Sequence, residues 1–536
     1  MKKNGILHRI STAVLAGAML LSLASCGASS SQTASSAAGK VTGTGSAKGI
    51  EGDVVVEVTA DADTIYSIVV TEQNETQGIG SVACEQLPDA MVAANSYNVD
   101  GIAGATVTSD ALKEAVKAAL ENAGLDASAF AVAKAADTTV EKTAETLDCD
   151  VVVVGAGGAG LTAAAQAAEN GAKVIVVEKM PIVGGNSLKA TGGMNAADTQ
   201  YQADLGITDS GVQEFIEDTI NGGHGINDRS LVTVMAEQSS DAIDWLTSIG
   251  APLPKVAATG GTTHKYLHEP EDGSAVGSYL VEKLNAQVEK LGVQILLNTK
   301  ATEILTNDGA ACGIKAESTE HDYTINAKST ILATGGFCSN KELLAEYAPG
   351  YEVFNTSNQM GTTGDFVKVF EQNGFKMENM GKMSFFSNII VPYRDLTGGA
   401  DMNLLANNEG TLLPNKSGMD RGTMIKEQPN GAAYYITDKT GYDSFYRIRK
   451  HVGLGYYSEG ATLEELAEKL GIDAEGLKAS VEQYNADAAA GTENAQVAAV
   501  PKRALDAEGP YYGVRVEAAN HMTKGGVVCN ENAQVL

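Results

Sequence analysis

The sequence predicts an α/β protein in which a small α+β unit precedes a larger, doubly wound domain. Three observations lead to this fold class. A glycine-rich turn at residues 155–160 joins an apolar strand at 150–154 to an alanine-rich helix at 161–170. After this turn, strand-like and helix-like segments alternate for most of the chain, as in parallel sheets covered by helices. Before it, residues 54–58 and 65–70 have the β-branched content of strands, and residues 109–123 have apolar positions at helical spacing.

The composition supports a folded protein of more than one domain. The 536 residues are 43% hydrophobic and 20% charged, which is enough apolar material for sizeable cores. The chain has 38 Lys+Arg against 67 Asp+Glu, a formal net charge of -29. A field of that sign repels phosphate backbones, so nucleic acid is excluded as an expected partner.

The first 26 residues have the composition of an export signal, with a basic start and an apolar run at 10–23. The run LASC at residues 23–26 resembles a bacterial lipobox. That resemblance implies a lipid-modified Cys26 and a mature chain anchored on the extracytoplasmic face of the cell membrane. The alternative is an ordinary cleaved signal peptide in which Cys26 is incidental. Residues 27–49 are rich in Ser, Ala, Gly and Thr, and we expect them to form a flexible linker.

The remaining cysteines and the paired histidines do not indicate a metal. The cysteines are scattered along the chain, at Cys84, Cys149, Cys312, Cys338 and Cys529. They form no Cys-x-x-Cys motif, so neither structural zinc nor covalent c-type haem is indicated. His264 and His268 have a spacing that could bind metal on a helix, but glycines and a proline flank them and no third ligand is evident.

The small unit, residues 50–125, contains a glycine-rich turn directly before its helix. On physical grounds this turn is either a phosphate-binding turn at a helix N-terminus or an ordinary helix cap. Its run DGIAGAT, at residues 100–106, resembles the attachment motif of the FMN-binding domain family. The resemblance implies that a flavin transferase joins FMN covalently to Thr106, with Thr108 as the first alternative. Residues 126–147 are expected to be a second linker.

Two further features of this unit bear on the same resemblance. Glu75 and Thr76 begin a Glu-Thr-x-Gly element that also occurs in the FMN-binding family. Ala103 stands where that family usually has Ser or Thr. We expect this departure to affect the efficiency of modification more than its site.

The turn at the start of the large domain has the G-x-G-x-x-G pattern of a dinucleotide site. In the strand–turn–helix context, these small residues admit a pyrophosphate to the helix N-terminus, and an acid at the end of the next strand accepts from ribose hydroxyls. The predicted contacts are Gly155, Gly157, Gly158, Ala159, Gly160, Glu178 and the adjacent Lys179.

Later glycine-rich segments resemble the fumarate reductase/succinate dehydrogenase flavoprotein superfamily, in its soluble flavocytochrome c and urocanate reductase branch. The resemblance implies non-covalent FAD in a glutathione reductase-type Rossmann-like domain over 148–380, with an α+β capping domain inserted at 381–521 and a return at 522–536. It adds as FAD contacts Gly185, Asn186, Ser187, Thr191, Gly192, Gly193, Ala301, Thr334, Gly335, Gly336, Gly364 and Asp365.

No second strand–G-x-G-x-x-G–helix unit is present, so no NAD(P)H site is evident. The covalent FMN is therefore expected to pass electrons from a membrane donor to FAD. By resemblance to the superfamily, the reaction is two-electron reduction of the C=C bond of an α,β-unsaturated carboxylate, in a terminal electron-accepting enzyme.

The expected substrate residues depart from the fumarate-reducing pattern. Phe386 stands where the relatives have a substrate-site His, and Met522 replaces one His of their late pair, leaving His521. The nearest candidate for the catalytic-acid Arg is Arg421, held by Asp420 or in an ordinary surface ion pair, with Arg394 as the next candidate. Apolar replacements suit a substrate with one carboxylate better than fumarate.

The end of the sequence sets one further expectation. The Gly-rich segment that completes FAD binding in the superfamily is not found before residue 536, so we expect weak FAD binding or none in this chain. Two other functions stay open: a non-catalytic flavin electron carrier, and an oxidase or dehydrogenase running the same chemistry backwards.

Overall fold

The computed structural model describes residues 39–536 apart from 51, 76–79, 100, 103–104, 133–141, 259–261, 392, 399–401, 416–420 and 430. The predicted signal segment, Cys26 and most of the first linker lie outside the described residues, as do Thr76, Ala103 and Asp420.

The first domain is a three-stranded antiparallel sheet, in the order β1-β2-β3, covered by two helices. Its elements are β1 (Val41–Lys48), β2 (Asp53–Ala60), β3 (Ile65–Glu72), α1 (Gly80–Ala94) and α2 (Thr106–Asn122). Along β2, Val54, Val56 and Val58 are buried while their neighbours are more exposed, as the two-residue period of a strand requires. The two predicted strands and the predicted helix are therefore present.

The first linker was predicted to extend too far. Residues 41–48 form β1, which pairs with β2 along its whole length. A Cβ at Gly43 would lie 2.1 Å from the carbonyl oxygen of Ala119, and one at Gly45 would lie 2.1 Å from that of Ala115. The glycines let the strand lie directly on α2, so a composition typical of a flexible linker here serves close packing.

The second linker was also predicted too long. Residues Ala127–Phe130 form a 3-10 helix whose Phe130 is buried in the core of the first domain. At the other end, the strand expected at 150–154 begins earlier, because its first residues pair with a distant strand of the large domain.

The nucleotide-type domain is built around a six-stranded sheet in the order β10-β11-β12-β4-β5-β9. Strands β12, β4, β5 and β9 are parallel neighbours. The elements of this part are, in chain order, β4 (Thr143–Val154), α3 (Gly158–Glu169), β5 (Val174–Val177), β6 (Met194–Asn195), α4 (Gln200–Asp204), α5 (Val212–Gly222), α6 (Arg229–Glu237), α7 (Ser239–Ser248), β7 (Lys255–Ala257), β8 (Leu267–Glu269), α8 (Val276–Lys290), β9 (Gln294–Leu296), β10 (Lys300–Asn307), β11 (Ala310–Glu317), β12 (His321–Leu332), α9 (Lys341–Tyr347), β13 (Asn355–Thr356), α10 (Asp365–Gln372) and β14 (Met377–Glu378).

The capping domain follows as a sheet with helices, and the chain then returns. Its elements and the last strand are β15 (Met383–Ile390), β16 (Asp395–Leu396), β17 (Leu404–Ala406), β18 (Leu412–Leu413), α11 (Arg421–Lys426), β19 (Ala432–Asp438), α12 (Lys439–Ser444), α13 (Tyr446–Gly453), β20 (Ser458–Gly460), α14 (Leu463–Leu470), α15 (Ala474–Ala490), β21 (Tyr511–Thr523) and β22 (Gly526–Val527).

Strand β21 is the centre of the capping sheet, whose order is β16-β15-β21-β19-β17-β18, with β13 and β20 also paired to β21. The cap therefore receives the short strand β13 before residue 381, and its central strand continues to Thr523. Strand β22 then pairs with β14 and returns the chain to the nucleotide-type domain.

Candidate functional site

The turn between β4 and α3 depends on glycine. Gly155 has φ +101°, and a Cβ there would lie 2.4 Å from the carbonyl oxygen of Ala333. A Cβ at Gly160 would lie 1.9 Å from the carbonyl oxygen of Gly155. Side chains are thus excluded where the turn packs against the β12 side of the sheet. The backbone N–H of Gly158 donates to Ser187 Oγ at 3.2 Å, which ties the turn to the predicted second segment.

Glu178 organises the same turn from the end of β5. Its Oε2 accepts from the backbone N–H of Ala156 at 2.8 Å, and its Oε1 accepts from that of Met180 at 2.9 Å. The side chain is buried, and burial raises the pKa of Glu178 although these amide hydrogen bonds act in the opposite direction. The carboxylate is therefore fixed by backbone donors while it faces the site.

A cavity of about 520 Å³ opens at the carboxyl ends of the parallel strands, where α/β sheets bind ligands. Thirteen of the predicted cofactor residues line it: Gly155, Gly157, Gly158, Ala159, Glu178, Lys179, Gly185, Asn186, Ser187, Ala301, Thr334, Gly335 and Asp365. The glycine cradle and the size of this cavity fit a flavin dinucleotide.

The other predicted cofactor residues of this domain do not line the cavity. They are Gly160, Thr191, Gly192, Gly193, Gly336 and Gly364. Several are constrained by neighbouring backbone instead: a Cβ at Gly193 would lie 2.3 Å from the carbonyl oxygen of His268, and Gly364 has φ +64° before α10. A side chain at Gly193 or Gly364 would therefore displace neighbouring segments, whereas Gly192 has open space around it.

Sequence reasoning missed part of the lining. Additional residues come from the start of β10 and the residue before it, from the loop around 359–362, and from β22 and the residues after it: Thr299, Lys300, Gln359, Gly361, Thr362, Gly526, Val527, Cys529, Ala533 and Val535. The sequence indicates these residues only where they adjoin a recognised motif, because a loop without fixed residue spacing has no pattern that predicts its contacts.

Asp365 and Lys179 form an ion pair at the cavity, with Lys179 Nζ 2.8 Å from Asp365 Oδ2. Lys300 Nζ lies 3.4 Å from the same oxygen, and Thr363 Oγ1 donates to Asp365 Oδ1 at 2.9 Å. Burial acts to raise the pKa of Asp365, but the hydrogen bond from Lys179 and the two cations outweigh it, so the pKa is lowered. The carboxylate stays ionised and positions two ammonium groups at the cavity.

Asn186 links the cavity to the last strand of the cap. Its amide donates to Asn358 Oδ1, and its Oδ1 accepts from the backbone N–H of Gln359 at 2.9 Å. Asn358 Nδ2 in turn donates to the carbonyl oxygen of His521 at 2.9 Å. The predicted catalytic His521 is thereby brought beside the loop that lines the cavity.

The His521 ring is held by two neighbours. Its Nδ1 lies 2.7 Å from Ser357 Oγ, and its ring packs edge-on against Phe386 at a centroid distance of 4.4 Å. Burial lowers the pKa of His521, which favours the neutral imidazole. The aromatic replacement predicted from sequence at position 386 therefore contacts the remaining His of the pair directly.

The structure separates the two predicted catalytic arginines. Arg421 is the first residue of α11, and its Nη1 donates to Asn415 Oδ1 at 2.6 Å, within the cap. Burial raises the pKa of Tyr435, and the nearby charge of Arg421 partly offsets this. Asp420, its predicted carboxylate partner, lies outside the described residues.

Arg394 lies closer to the nucleotide-type domain. It has φ +58°, and its Nη1 contacts the carbonyl oxygen of Asn358 at 3.5 Å and the sulfur of Met360 at 2.6 Å. Asn358 also accepts from Asn186, which lines the cavity, so Asn358 links Arg394 to the cavity lining. The described contacts of Arg421 give no such link.

A third arginine was not foreseen. Arg447, on α13 of the cap, donates from Nη2 to Thr191 Oγ1 at 2.8 Å. Thr191 belongs to a segment predicted to contact the cofactor, so this bond joins the cap to the edge of that site. No local motif surrounds Arg447, so no sequence pattern indicates this contact.

In the first domain, Thr106 is the first residue of α2. The preceding turn is closed by Ser109, whose Oγ accepts from the backbone N–H of Ile102 at 3.0 Å and donates to the carbonyl oxygen of Ala105 at 2.8 Å. Thr108 is fully buried and donates to the buried carboxylate of Glu75. The alternative attachment residue is therefore already engaged inside the core.

The paired histidines have separate structural contacts. His264 Nδ1 lies 2.6 Å from Asp218 Oδ2, and the buried His268 lies in strand β8, with Nε2 2.8 Å from Thr199 Oγ1. Among the described residues there is no group of three or more metal-binding side chains, and the five cysteines found there are free thiols. Within the same described ranges, none of the helices has both the length and the hydropathy of a membrane-spanning segment.

The fold and the cavity define a two-part flavoprotein, with a small domain ahead of a capped dinucleotide-binding domain. Two family models match: the FMN-binding domain over residues 49–121 and the FAD binding domain over residues 150–536. The chain is 34% identical over 552 residues to the urocanate reductase of Eggerthella lenta, covering 96% of this chain and 88% of that protein.

It is also 32% identical to the NADH:fumarate oxidoreductase of Klebsiella pneumoniae over 90% of this chain, but it spans only 52% of that protein's length. A solved flavocytochrome c3 fumarate reductase in its open conformation is similar, with a TM-score of 0.68 and 34% identity over 73% of this chain and 70% of that one. The chain therefore belongs to the FAD-dependent oxidoreductase family that includes these reductases, and it carries an FMN-binding domain in addition.

Proposed function

We propose that the protein is an extracytoplasmic reductase that transfers electrons from covalent FMN and non-covalent FAD to the C=C bond of an α,β-unsaturated carboxylate. The observation that carries this proposal is that two cap arginines, Arg394 and Arg447, contact segments around the nucleotide cavity. Cationic side chains at such a junction stabilise the negative charge that develops on an enoate during reduction. Relatives named as urocanate and fumarate reductases support the same reaction class.

The chain's own residues have distinct tasks in this proposal. When bound, FAD supplies the hydride. The glycine turn and Glu178 bind the dinucleotide, and the cap excludes water from the reacting carbon atoms. Arg421 is proposed to deliver the substrate proton, with Arg394 as the next candidate, and the neutral His521 completes the wall of the site.

The substrate is proposed to have one carboxylate rather than two. Phe386 lies against His521 in the place where fumarate-reducing relatives have a His, so one end of the site is apolar. Fumarate needs cationic partners at both ends, whereas an apolar wall suits an uncharged remainder.

Oxidation of a reduced viologen dye by a panel of enoates tests the reaction. We expect acrylate, cinnamate or urocanate to accelerate oxidation more than fumarate does. If no enoate accelerates it, the result favours the non-catalytic electron carrier. If Arg421→Lys and Arg421→Ala both retain near-wild-type kcat on the active enoate, proton delivery belongs to another residue, and Arg394 is tested next in the same way.

FMN is proposed to be attached to Thr106. Intact-protein mass in a host with the flavin transferase tests this. Thr106→Ala should lose the FMN mass while the domain stays folded, because a helix-terminal hydroxyl contributes at most about 2 kcal/mol. Thr108→Ala is the matched comparison: it should keep some FMN but destabilise the domain, since it leaves buried Glu75 without the Thr108 donor.

The location is proposed from Cys26 and the preceding apolar run. Cys26→Ala should release the protein from the membrane fraction and abolish incorporation of labelled palmitate. Unchanged membrane association and labelling in Cys26→Ala would contradict the lipid anchor.

A further inference from the structure

Helix α13 brings an unassigned cation to the edge of the nucleotide cavity. Arg447 Nη2 donates to Thr191 Oγ1 at 2.8 Å, across 256 positions of sequence. Thr191 follows the 3-10 helix Gly185–Lys189, which begins with residues that line the cavity. A capping-domain guanidinium is therefore fixed beside the wall of that cavity.

This region has more cations than carboxylates. Among the described residues, no carboxylate forms an ion pair with Arg447. The nearby Asp395, whose charge acts on both Arg447 and Arg394, is already paired with Lys189 Nζ at 3.2 Å. Burial lowers the pKa of Arg447, and Asp395 opposes this, so the guanidinium is a partly desolvated cation. The chain as a whole has a net charge of -29, but around Arg447 cations outnumber carboxylates, which favours binding of an anion there.

A buried polar group without a hydrogen-bond partner among the described residues lies one helical turn from Arg447. His451 is 3% exposed, and its Nδ1 has no hydrogen-bond partner among the described residues. Burial lowers its pKa to about 4, with Asp395 opposing and Lys450 and Arg447 adding to the effect, so it is neutral at physiological pH. Buried polar atoms ordinarily have partners, so this face of α13 is arranged for a polar contact that the protein itself does not make.

An aromatic wall borders the same face. The Tyr456 ring lies 5.4 Å from that of His451 and stacks on Tyr393 at 3.8 Å. Tyr393 directly precedes Arg394 in the loop that leads to Asp395. Arg394 and Arg447 therefore lie next to the surface of aromatic rings.

We propose that Arg447 binds the carboxylate of the substrate and that Thr191 holds its guanidinium in place for this contact. The inference rests on the proposed function, whose acid substrate it locates. A guanidinium binds a carboxylate through two parallel hydrogen bonds, which also orients the adjoining C=C bond. Arg447 is thus a specificity-determining residue for monocarboxylates, and Arg421 is left for proton delivery.

Steady-state kinetics of Arg447→Gln and Arg447→Lys test this role, with Arg449→Gln as the matched control on the same helix. Arg449 contacts the carbonyl oxygens of Tyr442 and Asp443 inside the cap, so its loss leaves the cavity unchanged. In Arg447→Gln, the amide can still donate to Thr191, and we expect KM to rise by about 10- to 100-fold, the value of a charge-assisted hydrogen bond, with FAD content unchanged. Arg447→Lys should restore only part of this loss.

Calorimetric binding of 3-phenylpropanoate to the FAD-loaded protein separates this inference from the proposed function. If no enoate is reduced but wild-type protein binds the acid and Arg447→Gln does not, the carboxylate site stands and the reductase proposal fails. If an enoate is reduced and Arg447→Gln keeps wild-type KM and binding, the site assignment is wrong and the reductase stands. Absence of binding to wild-type protein also overturns the site.

Discussion

The glycine turn of the dinucleotide site and the capping domain hold their polar groups in different ways. At the turn, backbone amides supply the partners: Glu178 accepts from the N–H of Met180, two positions away, and from the N–H of Ala156 in the turn itself. In the cap, decisive contacts join distant side chains, such as Arg447 with Thr191 and Arg503 with Asp438. Motif spacing reveals the first kind of site, whereas the second kind becomes visible only in the folded chain.

The largest effect is expected from a substitution that disrupts the backbone of the glycine turn. Gly155→Ala places a Cβ 2.4 Å from the carbonyl oxygen of Ala333 at φ +101°. We expect a loss of about 3 kcal/mol or more in unfolding free energy, and a lower affinity for FAD than that of the wild-type chain in a fluorescence titration. Gly222→Ala, where no atom lies within 4 Å of the added Cβ, is the control and should keep both stability and flavin. Equal behaviour of the two variants would show that the turn is not tightly constrained.

The second-largest effect is expected from loss of a buried side-chain ion pair in the cap. Asp438 is fully buried, accepts from Arg503 at 2.6 and 2.7 Å and also accepts from the backbone amides of Gly441 and Asp506. Asp438→Asn leaves the Arg503 charge uncompensated, and we expect a loss of about 3 kcal/mol, measured by urea unfolding. The FAD content at neutral pH should stay near wild type, because the cavity does not depend on this pair.

The pH dependence of Asp438 sharpens the same test. Burial by itself raises the pKa of Asp438, but hydrogen bonds from Arg503 and the two amides outweigh it, so the folded-state pKa is lowered. Its contribution is therefore fully present above the unfolded-state pKa of about 3.9 and is lost as pH falls through the lower folded-state value. Asp443→Asn, which breaks an exposed pair with Lys439, should not change this acid limb.

A smaller effect is expected at the acid end of β5. Glu178→Gln turns one carboxylate oxygen into an amide donor that faces a backbone N–H, so one of the two hydrogen bonds is lost. We expect FAD to bind roughly 10-fold more weakly, or about 1.4 kcal/mol, by fluorescence titration. The exposed Glu237→Gln is the control. Unchanged affinity in Glu178→Gln would mean that its backbone contacts are not needed for the cofactor.

The smallest effect concerns Ser187, which accepts from the backbone N–H of Gly158 at 3.2 Å. Ser187→Ala removes that acceptor at a solvent-accessible position, where water can replace it. We expect the Kd for FAD to rise less than about fivefold, equivalent to about 1 kcal/mol. A larger loss would mean that this side chain contacts the flavin itself rather than the turn.

Particular elements indicate how far sequence reasoning reached. The helix predicted at 161–170 is Gly158–Glu169, and the helix predicted at 109–123 is Thr106–Asn122. Strand β1 was missed because its glycines have the composition of a linker, and α1 was not among the predicted elements. Of the predicted arginines, Arg394 lies beside the cavity loop, whereas the described contacts of Arg421 stay within the cap.

The sequence by itself determined the strand–turn–helix of the dinucleotide site, its glycines and its acid, because these act through contacts between residues at fixed, short spacing. It also determined the presence of the FMN-type turn before α2. Only the tertiary structure decided that residues 41–48 pack as a strand, that Thr108 is engaged by Glu75 and that Arg447 reaches Thr191. These depend on which distant surfaces meet, and no local pattern of residues encodes that meeting.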